Sequence, residues 1–384
     1  MSNQINNIVA KTFLELSNAL QTGNMDVRPV IALTGIGSEL GEDNAIAGAL
    51  EARQAGVDVV YIGMKQTKEL CCIPVCNEDD AHNEMLRLLD SGKADGAVTM
   101  HYPFPVGVAT VGRVATPARG KVVYLATTTG TSATTRVEGM VRNAVAGVIA
   151  AKACGNAQPL VGIANLDGAA LVESDLKKLA SGGYPMSFAK SERSDGGCIL
   201  RGNDILAGTA DVIITDSLTG NIIIKMLSAF TTGGSYESVG WGYGPGIGMG
   251  YDRLVMIVSR LSGSPVIAGA LIYAGMLKRG GWREIAAAEY AAANKAGLEE
   301  IISSRNKSQS IATAHSDERT PQKEPVTEEI TGIDIMSLEN AVNVLLGAGI
   351  YAESGMGCTG PIVLVTRERL NQSLIKLKAA GYIE

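Results

Sequence analysis

No stretch of the 384-residue chain approaches 18 unbroken apolar residues, so no segment reads as a membrane-spanning helix. Aromatic residues are scarce, at 4%. Cysteines number six, too few and too scattered for a disulfide framework, which suits a reducing compartment. There is no long basic run, and the formal charge is 33 − 39 = −6, which argues against nucleic acid as a partner. Met1 to Leu20 lacks the basic start and continuous apolar core of a signal peptide. These absences together predict a cytoplasmic chain with reduced thiols.

What is present is glycine and small aliphatic residues. Apolar residues make up 46%, and the 46 glycines are about 12% of the chain against an average near 7%. Few aromatics and many glycines suit an α/β protein with tight strand-to-helix turns. The length is enough for two domains around a sizeable core.

Along the chain, residues 1–26 read as a polar leader with one amphipathic helix. Residues 29–34 predict a strand, 35–44 a glycine loop, 45–55 a helix and 57–62 a second strand, which is one parallel βαβ unit. Further strands are expected at 96–100, 121–126, 160–164 and 211–215. Helices are expected after Thr135, whose spacing to Glu138 suits a capping box, and at 220–230, 252–261, 282–303, 337–346 and around Leu370, Leu374 and Leu377. Residues 233–250 are glycine-rich, and 266–273 are apolar between two helices. The resulting division puts 27–125 with 330–384 in a first α/β domain and 126–303 in a second. Residues 304–329 form a polar linker or surface excursion.

Several constellations could carry chemistry. Near the C-terminus, Gly355-Met356-Gly357-Cys358-Thr359-Gly360-Pro361 sets one cysteine among glycines before the apolar run Ile362–Val365. It reads either as a tight turn around a packed thiol or as a nucleophile framed by Gly357, Thr359 and Gly360, with free N–H groups for an oxyanion. The Gly35–Asn44 loop, with Gly35, Gly37 and Asn44, could cradle an anion, though it matches neither a phosphate loop nor a dinucleotide fingerprint. Thr128, Thr129 and Ser132 with Arg136 suit a phosphate or a solvated turn. Asp216, Asn221 and Lys225 follow a buried strand, with Asn221 and Lys225 one helical turn apart. His101 ends a strand and is either an acid/base or a packed loop residue. Cys71, Cys72 and Cys76 with His82 fit no standard zinc spacing, so no metal is expected. His82 and His315 suggest nothing by themselves.

The run from Ala210 to Lys225, the Gly35–Glu51 loop and helix, and Gly357-Cys358-Thr359-Gly360-Pro361 resemble, in order, three blocks of the phosphate acyltransferase family. That resemblance implies an isocitrate-dehydrogenase-like three-layer α/β sandwich of two domains with a cleft between them. Cys358, the glycine-rich 233–250 segment and the polar 304–329 segment depart from the acyltransferases. They resemble instead the alpha subunits of protein C in glycine/sarcosine/betaine reductase complexes. This second resemblance implies an acyl group held on Cys358 as a thioester and released by inorganic phosphate as acetyl phosphate, with no bound cofactor. It implies as partners a ketoacyl-synthase-like beta subunit and a selenoprotein A carrying a carboxymethyl group, within an oligomer. The chemistry agrees with the residues: a thiolate accepts and releases acyl groups, and a phosphate acceptor needs fixed N–H donors and a cation. Gly35–Asn44 and Thr127–Ser132 are the expected phosphate contacts, with Lys225 or Arg136 as the cation. The alternatives are direct transfer from a carrier or coenzyme A thioester, or a docking subunit without activity.

Overall fold

The computed structural model describes residues 28–192, 196–305, 324–333, 337–357 and 360–383, together with Phe13 and Ser17. The expected leader helix, most of the polar excursion with His315, and Cys358 with Thr359 lie outside the described residues. Contacts group the chain into two units, residues 1–298 and Glu299–Glu384.

In the first unit, Val30–Thr34 (β1) leads through Glu42–Gln54 (α1) to Asp58–Gly63 (β2), the βαβ unit read from the sequence. Cys71–Pro74 (β3), Glu78–Asp90 (α2) and Gly96–Thr99 (β4) follow. Next come Val108–Ala115 (β5), Val122–Thr131 (β6), Arg136–Ala153 (α3), Leu160–Ala164 (β7) and Ala169–Ser181 (α4). Ser187–Phe188 (β8), Ile199–Leu200 (β9), Gly202–Ala207 (α5), Val212–Ile214 (β10) and Ser217–Ala229 (α6) complete the middle of the chain. Gly244–Gly248 (β11), Val255–Ile257 (β12), Ser264–Arg279 (α7) and Trp282–Lys295 (α8) close it.

These strands form one twelve-stranded sheet in the order β3-β2-β1-β4-β12-β11-β5-β6-β10-β7-β8, with β9 also paired to β7. The strands β3, β2, β1, β4 and β12 pair in parallel, and so do β6, β10, β7, β8 and β9. Between the two groups, β12–β11, β11–β5 and β5–β6 are antiparallel. Three reversals are an odd number, so the two parallel groups run in opposite directions. Their strand C-termini therefore lie at opposite edges of the sheet.

Helices cover both faces. Val212 of β10 lies against Gly147 of α3, whereas its neighbour Ile213 joins the cluster that holds Ile224 of α6. Successive strand residues point to opposite faces, so α3 and α6 flank the sheet. Tyr273 of α7 lies against Tyr124 of β6, with ring centroids 6.3 Å apart, and Gly48 of α1 packs on Ile267 of α7. On the other half, Ala81, Met85 and Leu88 of α2 cover Ala32, Ile62 and Ala97. This is a three-layer α/β fold, as the resemblance implied.

The second unit is described by itself. Glu328–Ile330 (β13), Ala352–Gly357 (β14) and Gly360–Val365 (β15) form an antiparallel sheet in the order β13-β15-β14. Leu338–Gly347 (α9) and Leu370–Ala379 (α10) cover it, with Leu338, Leu345, Val363, Val365 and Leu377 in one buried cluster. The expected division is thus replaced: residues 330–383 build their own sheet, and 126–298 share one sheet with 28–125. Main-chain pairing decides this, since β13 and β14 both find their partner in β15.

Other expectations change as well. Residues 252–261 hold the strand β12 in place of a helix, and 266–273 form the middle of α7. A strand buried on both faces and a helix buried almost all round each read as a continuous apolar run, which periodicity does not separate. The glycine-rich segment contains β11, where a Cβ at Gly244 would overlap the carbonyl of Val111. Among the described residues, no helix is long and apolar enough to cross a membrane.

Candidate functional site

The C-terminal end of β6 departs from regular pairing. Ala109 pairs with Gly130 and Val111 with Ala126, so Thr127, Thr128 and Thr129 stand opposite Thr110 alone. Hydroxyls take over where ladder bonds are missing. Thr127 Oγ1 donates to Thr110 O at 2.7 Å, and the Thr129 N–H donates to Thr110 Oγ1 at 2.9 Å. Thr128 Oγ1 donates to Tyr243 O at 2.6 Å and lies 2.7 Å from Thr110 Oγ1. Thr128 is fully buried, and neither it nor Thr129 lines the pocket that opens beyond the bulge. Both were expected to meet an anion; the structure uses them to satisfy the bulge.

Beyond the bulge, the chain turns into α3 and opens a pocket of about 220 Å³. Its walls are Thr127, residues 130–136, Gly139, Met140, Asn143 and residues 216–218. The floor is held by Asn143, a buried residue no sequence signal singled out. Its side chain meets Ser132 Oγ and donates to Thr215 O at 3.0 Å. Thr215 Oγ1 donates in turn to Thr127 O at 2.8 Å.

Two helix N-termini meet at this pocket. Thr135 stands at the N-cap of α3 but makes no side-chain cap bond, and Glu138 pairs with Arg142 at 3.0 Å, so the capping box is not formed. Asp216 caps α6, accepting from the Thr219 N–H at 2.7 Å. Arg136, half-exposed, reaches Asp216 at 3.2 Å and Asp167 at 3.5 Å. Uncapped amides, a helix dipole, hydroxyls and a guanidinium are the components of an anion site. Of the predicted contacts, the structure brings together Ser132, Arg136 and Asp216.

The others have different duties. Asn221 Nδ2 donates to Thr128 O at 3.0 Å, tying α6 to the bulge. Lys225 lies over the Tyr243 ring at 5.6 Å and does not line the pocket, which leaves Arg136 as the cation there. Asn44 binds Ser262 O at 3.0 Å and accepts from the Ser264 N–H at 2.7 Å, joining α1 to the start of α7. Gly35 lies against the Tyr61 ring, which leaves no room for a Cβ. At the start of α1, the buried Glu42 carboxylate accepts from Tyr61 Oη at 2.6 Å and from the Lys65 N–H at 3.1 Å. In the loop expected to cradle an anion, the Gly35, Glu39 and Gly41 N–H groups donate to the carbonyls of Ile62, Arg260 and Ser38.

His101 lies at the other edge of the sheet. A pocket of about 260 Å³ opens at the ends of β1 and β4, lined by Thr34, Thr99, Glu78, His82 and His101 among others. Strand order reverses between β1 and β4, the place where open α/β sheets bind ligands. Glu78 is gripped by both Arg260 nitrogens at 2.9 and 2.8 Å, and that guanidinium holds its carboxyl below the usual carboxylate range. His82, stacked on Tyr102 with centroids 5.6 Å apart, enters this pocket unforeseen. Since the two strand groups run oppositely, His101 and Gly37 are not joined to the Arg136 pocket.

Cys358 and Thr359 lie outside the described residues; β14 and β15 pair as far as Gly357 and Gly360. Among the described residues, no three His, Cys, Asp or Glu side chains gather as metal ligands, and Cys71, Cys72, Cys76, Cys154 and Cys198 are free.

The family described as fatty acid synthesis protein matches residues 29–364. The chain is 52% identical over 381 residues to the glycine/sarcosine/betaine reductase complex component C subunit alpha of Peptoclostridium acidaminophilum, covering 99% of both chains. It is 25% identical over 237 residues to a phosphate acyltransferase of Lysinibacillus sphaericus, covering 51% of this chain and 70% of that one. A branched-chain phosphotransacylase from Enterococcus faecalis superposes with a TM-score of 0.47 at 13% identity, covering 65% of this chain and 99% of that one.

Proposed function

The chain belongs to the fatty acid synthesis protein family, together with the component C alpha subunit of glycine/sarcosine/betaine reductase, and we propose that it forms acetyl phosphate within such a complex. In this reading an acetyl thioester is the donor and inorganic phosphate the acceptor. The observation that carries it is the pocket where Arg136, Ser132 and the starts of α3 and α6 converge, which suits a phosphate dianion.

A phosphate oxygen attacks the thioester carbonyl. The new C–O bond forms as the C–S bond breaks, and the thiolate leaves with the bonding pair. Arg136 and the first-turn amides of α3 neutralise the nucleophile and orient it, which lowers the barrier without a change in oxidation state. Cys358 is the thiol proposed to carry the acetyl group, since a cysteine both accepts and releases acyl groups readily.

The second reading is direct transfer from a carrier or coenzyme A thioester. It is favoured by the 25% identity over 237 residues to a phosphate acyltransferase. The test incubates the purified chain with acetyl phosphate, digests it at mildly acidic pH and seeks an acetylated Cys358 peptide by mass spectrometry. Arsenate-dependent loss of acetyl phosphate is followed beside it. An adduct, with activity lost in Cys358→Ala, is the expected result. Activity retained without the cysteine selects direct transfer. Neither adduct nor activity, with the beta subunit also supplied, selects a docking subunit.

A further inference from the structure

A glycine inside a helix weakens it relative to alanine, so its presence needs a reason. For Gly48, Gly147, Gly220 and Gly269 the reason is packing: a Cβ would run into Ser264 O, the Val212 side chain, Thr127 O and Gly240 O respectively. Gly139, the fourth residue of α3, has no such neighbour. Outside its own helix, the nearest atom to a Cβ built there is Ala133 N at 4.0 Å, and its φ is not positive. Neither packing nor backbone geometry calls for glycine at this position.

The open space at Gly139 belongs to the Arg136 pocket, whose wall includes it. Arg136, Gly139, Met140 and Asn143 recur at helical spacing and share the face of α3 that lines the pocket. Two kinds of wall meet there. Arg136, Ser132 and Asn143 are polar, whereas Ala133, Met140 and Leu218 are apolar, and Met140 is fully buried. At about 220 Å³ the pocket is smaller than the roughly 300–1,000 Å³ of those that take drug-sized ligands. It suits a small ligand with an anionic end and a short apolar end.

We infer that Gly139 is the residue that sets the size of the acyl group. The room left by its missing side chain holds the methyl of a two-carbon acyl phosphate, and the buried Met140 next to it stops a longer chain. This inference rests on the acyl-phosphate reading of the same pocket and adds to it the specificity-determining position. A side chain at 139 competes with the acyl methyl, while Arg136, Ser132 and the first-turn amides of α3 still hold the phosphate. Stability and ligand binding are therefore opposed at this one position: the helix gains from alanine, and the ligand loses.

Isothermal titration calorimetry of the full chain tests this with inorganic phosphate, acetylphosphonate (an inert analogue of acetyl phosphate) and butyrylphosphonate. The wild type is expected to prefer acetylphosphonate to butyrylphosphonate by about 10-fold or more, the scale of added methylenes in a closed pocket. Gly139→Val should weaken acetylphosphonate about 10-fold or more and inorganic phosphate less than about 3-fold. Gly139→Ala should fall between the two and raise the thermal midpoint by about 1–2 °C, a gain that a glycine needed for packing would not show. A wild type that binds neither phosphate nor acetylphosphonate removes the acyl-phosphate reading and this inference with it. If both bind, the reading stands, and the inference alone is overturned by either of two results. One is a Gly139→Val chain that binds acetylphosphonate as the wild type does. The other is loss of phosphate and acetylphosphonate by the same factor.

Discussion

Arg136 and Asp216 hold together the beginnings of two helices that arrive from opposite faces of the sheet. The guanidinium Nε lies 3.2 Å from one carboxylate oxygen, while the other oxygen accepts from the Thr219 N–H at 2.7 Å. The pair fixes α3 against α6 at the pocket rim. An Asp alone at that cap would repel an incoming phosphate; beside Arg136 its charge is offset, and the guanidinium keeps donors for a ligand.

Arg136→Ala should raise KM for phosphate about 10- to 100-fold in acetyl-phosphate formation or its arsenolysis, the scale of one charge-assisted contact. Arg136→Lys should fall between, because a single ammonium lacks the fork. Initial rates over a phosphate titration decide it. An unchanged KM in Arg136→Ala would remove phosphate from this pocket.

Gly220→Ala should be severely destabilising, by about 3 kcal/mol or more, because the added methyl would overlap the Thr127 carbonyl. Backbone cannot yield as a side-chain tip does, so α6 would have to leave β6. Urea unfolding read by circular dichroism measures the loss. At exposed Leu218 on the same helix, an alanine should change stability by less than about 0.5 kcal/mol.

Asp211 gives a pH prediction. Its burial alone would raise the carboxyl, but the Leu160 N–H at 2.8 Å and Lys121 at 2.9 Å pull it below its ordinary value. A depressed folded value means the carboxylate stabilises the fold above the unfolded value, near 4, and that contribution fades as pH falls through the folded value. Asp211→Asn should therefore cost about 1–2 kcal/mol at pH 7. The gap to wild type should close in acid, as denaturant melts at stepped pH would show.

The cysteines should separate by reactivity. Burial, with a hydrogen bond to Glu173, pushes the Cys198 thiol up to about 12. At pH 8 its thiolate fraction is then on the order of 1 in 10,000, whereas an ordinary thiol is substantially ionised. Iodoacetamide should label exposed Cys71 and Cys76 quickly and Cys198 only after unfolding. Labelling of Cys198 in the native chain at a comparable rate would contradict the burial.

Much of the order of elements was legible because β1, α1, β2, β4, β7 and β10 are local patterns: an apolar run, a glycine turn, a helical period. The Ala210–Lys225 run likewise pointed to the strand end and helix start that build half the pocket. Asn143 was invisible, since it sits mid-helix and matters only because Ser132 and Thr215 come to it. Thr128 and Thr129 looked like ligands because a hydroxyl in a turn and a hydroxyl filling a bulge have the same one-letter code.

The sequence by itself determined the α/β class and the acyltransferase-like motifs, and put Arg136 and Asp216 among the candidates beside Lys225, since each of these depends on residues close in the chain. Only the tertiary structure decided which motifs share a site. The three antiparallel pairings at the sheet's centre reverse its second half, placing His101 at one edge and Arg136 at the other. Strand direction is set by pairings between residues as distant as Gly248 and Val108, and no local pattern encodes those.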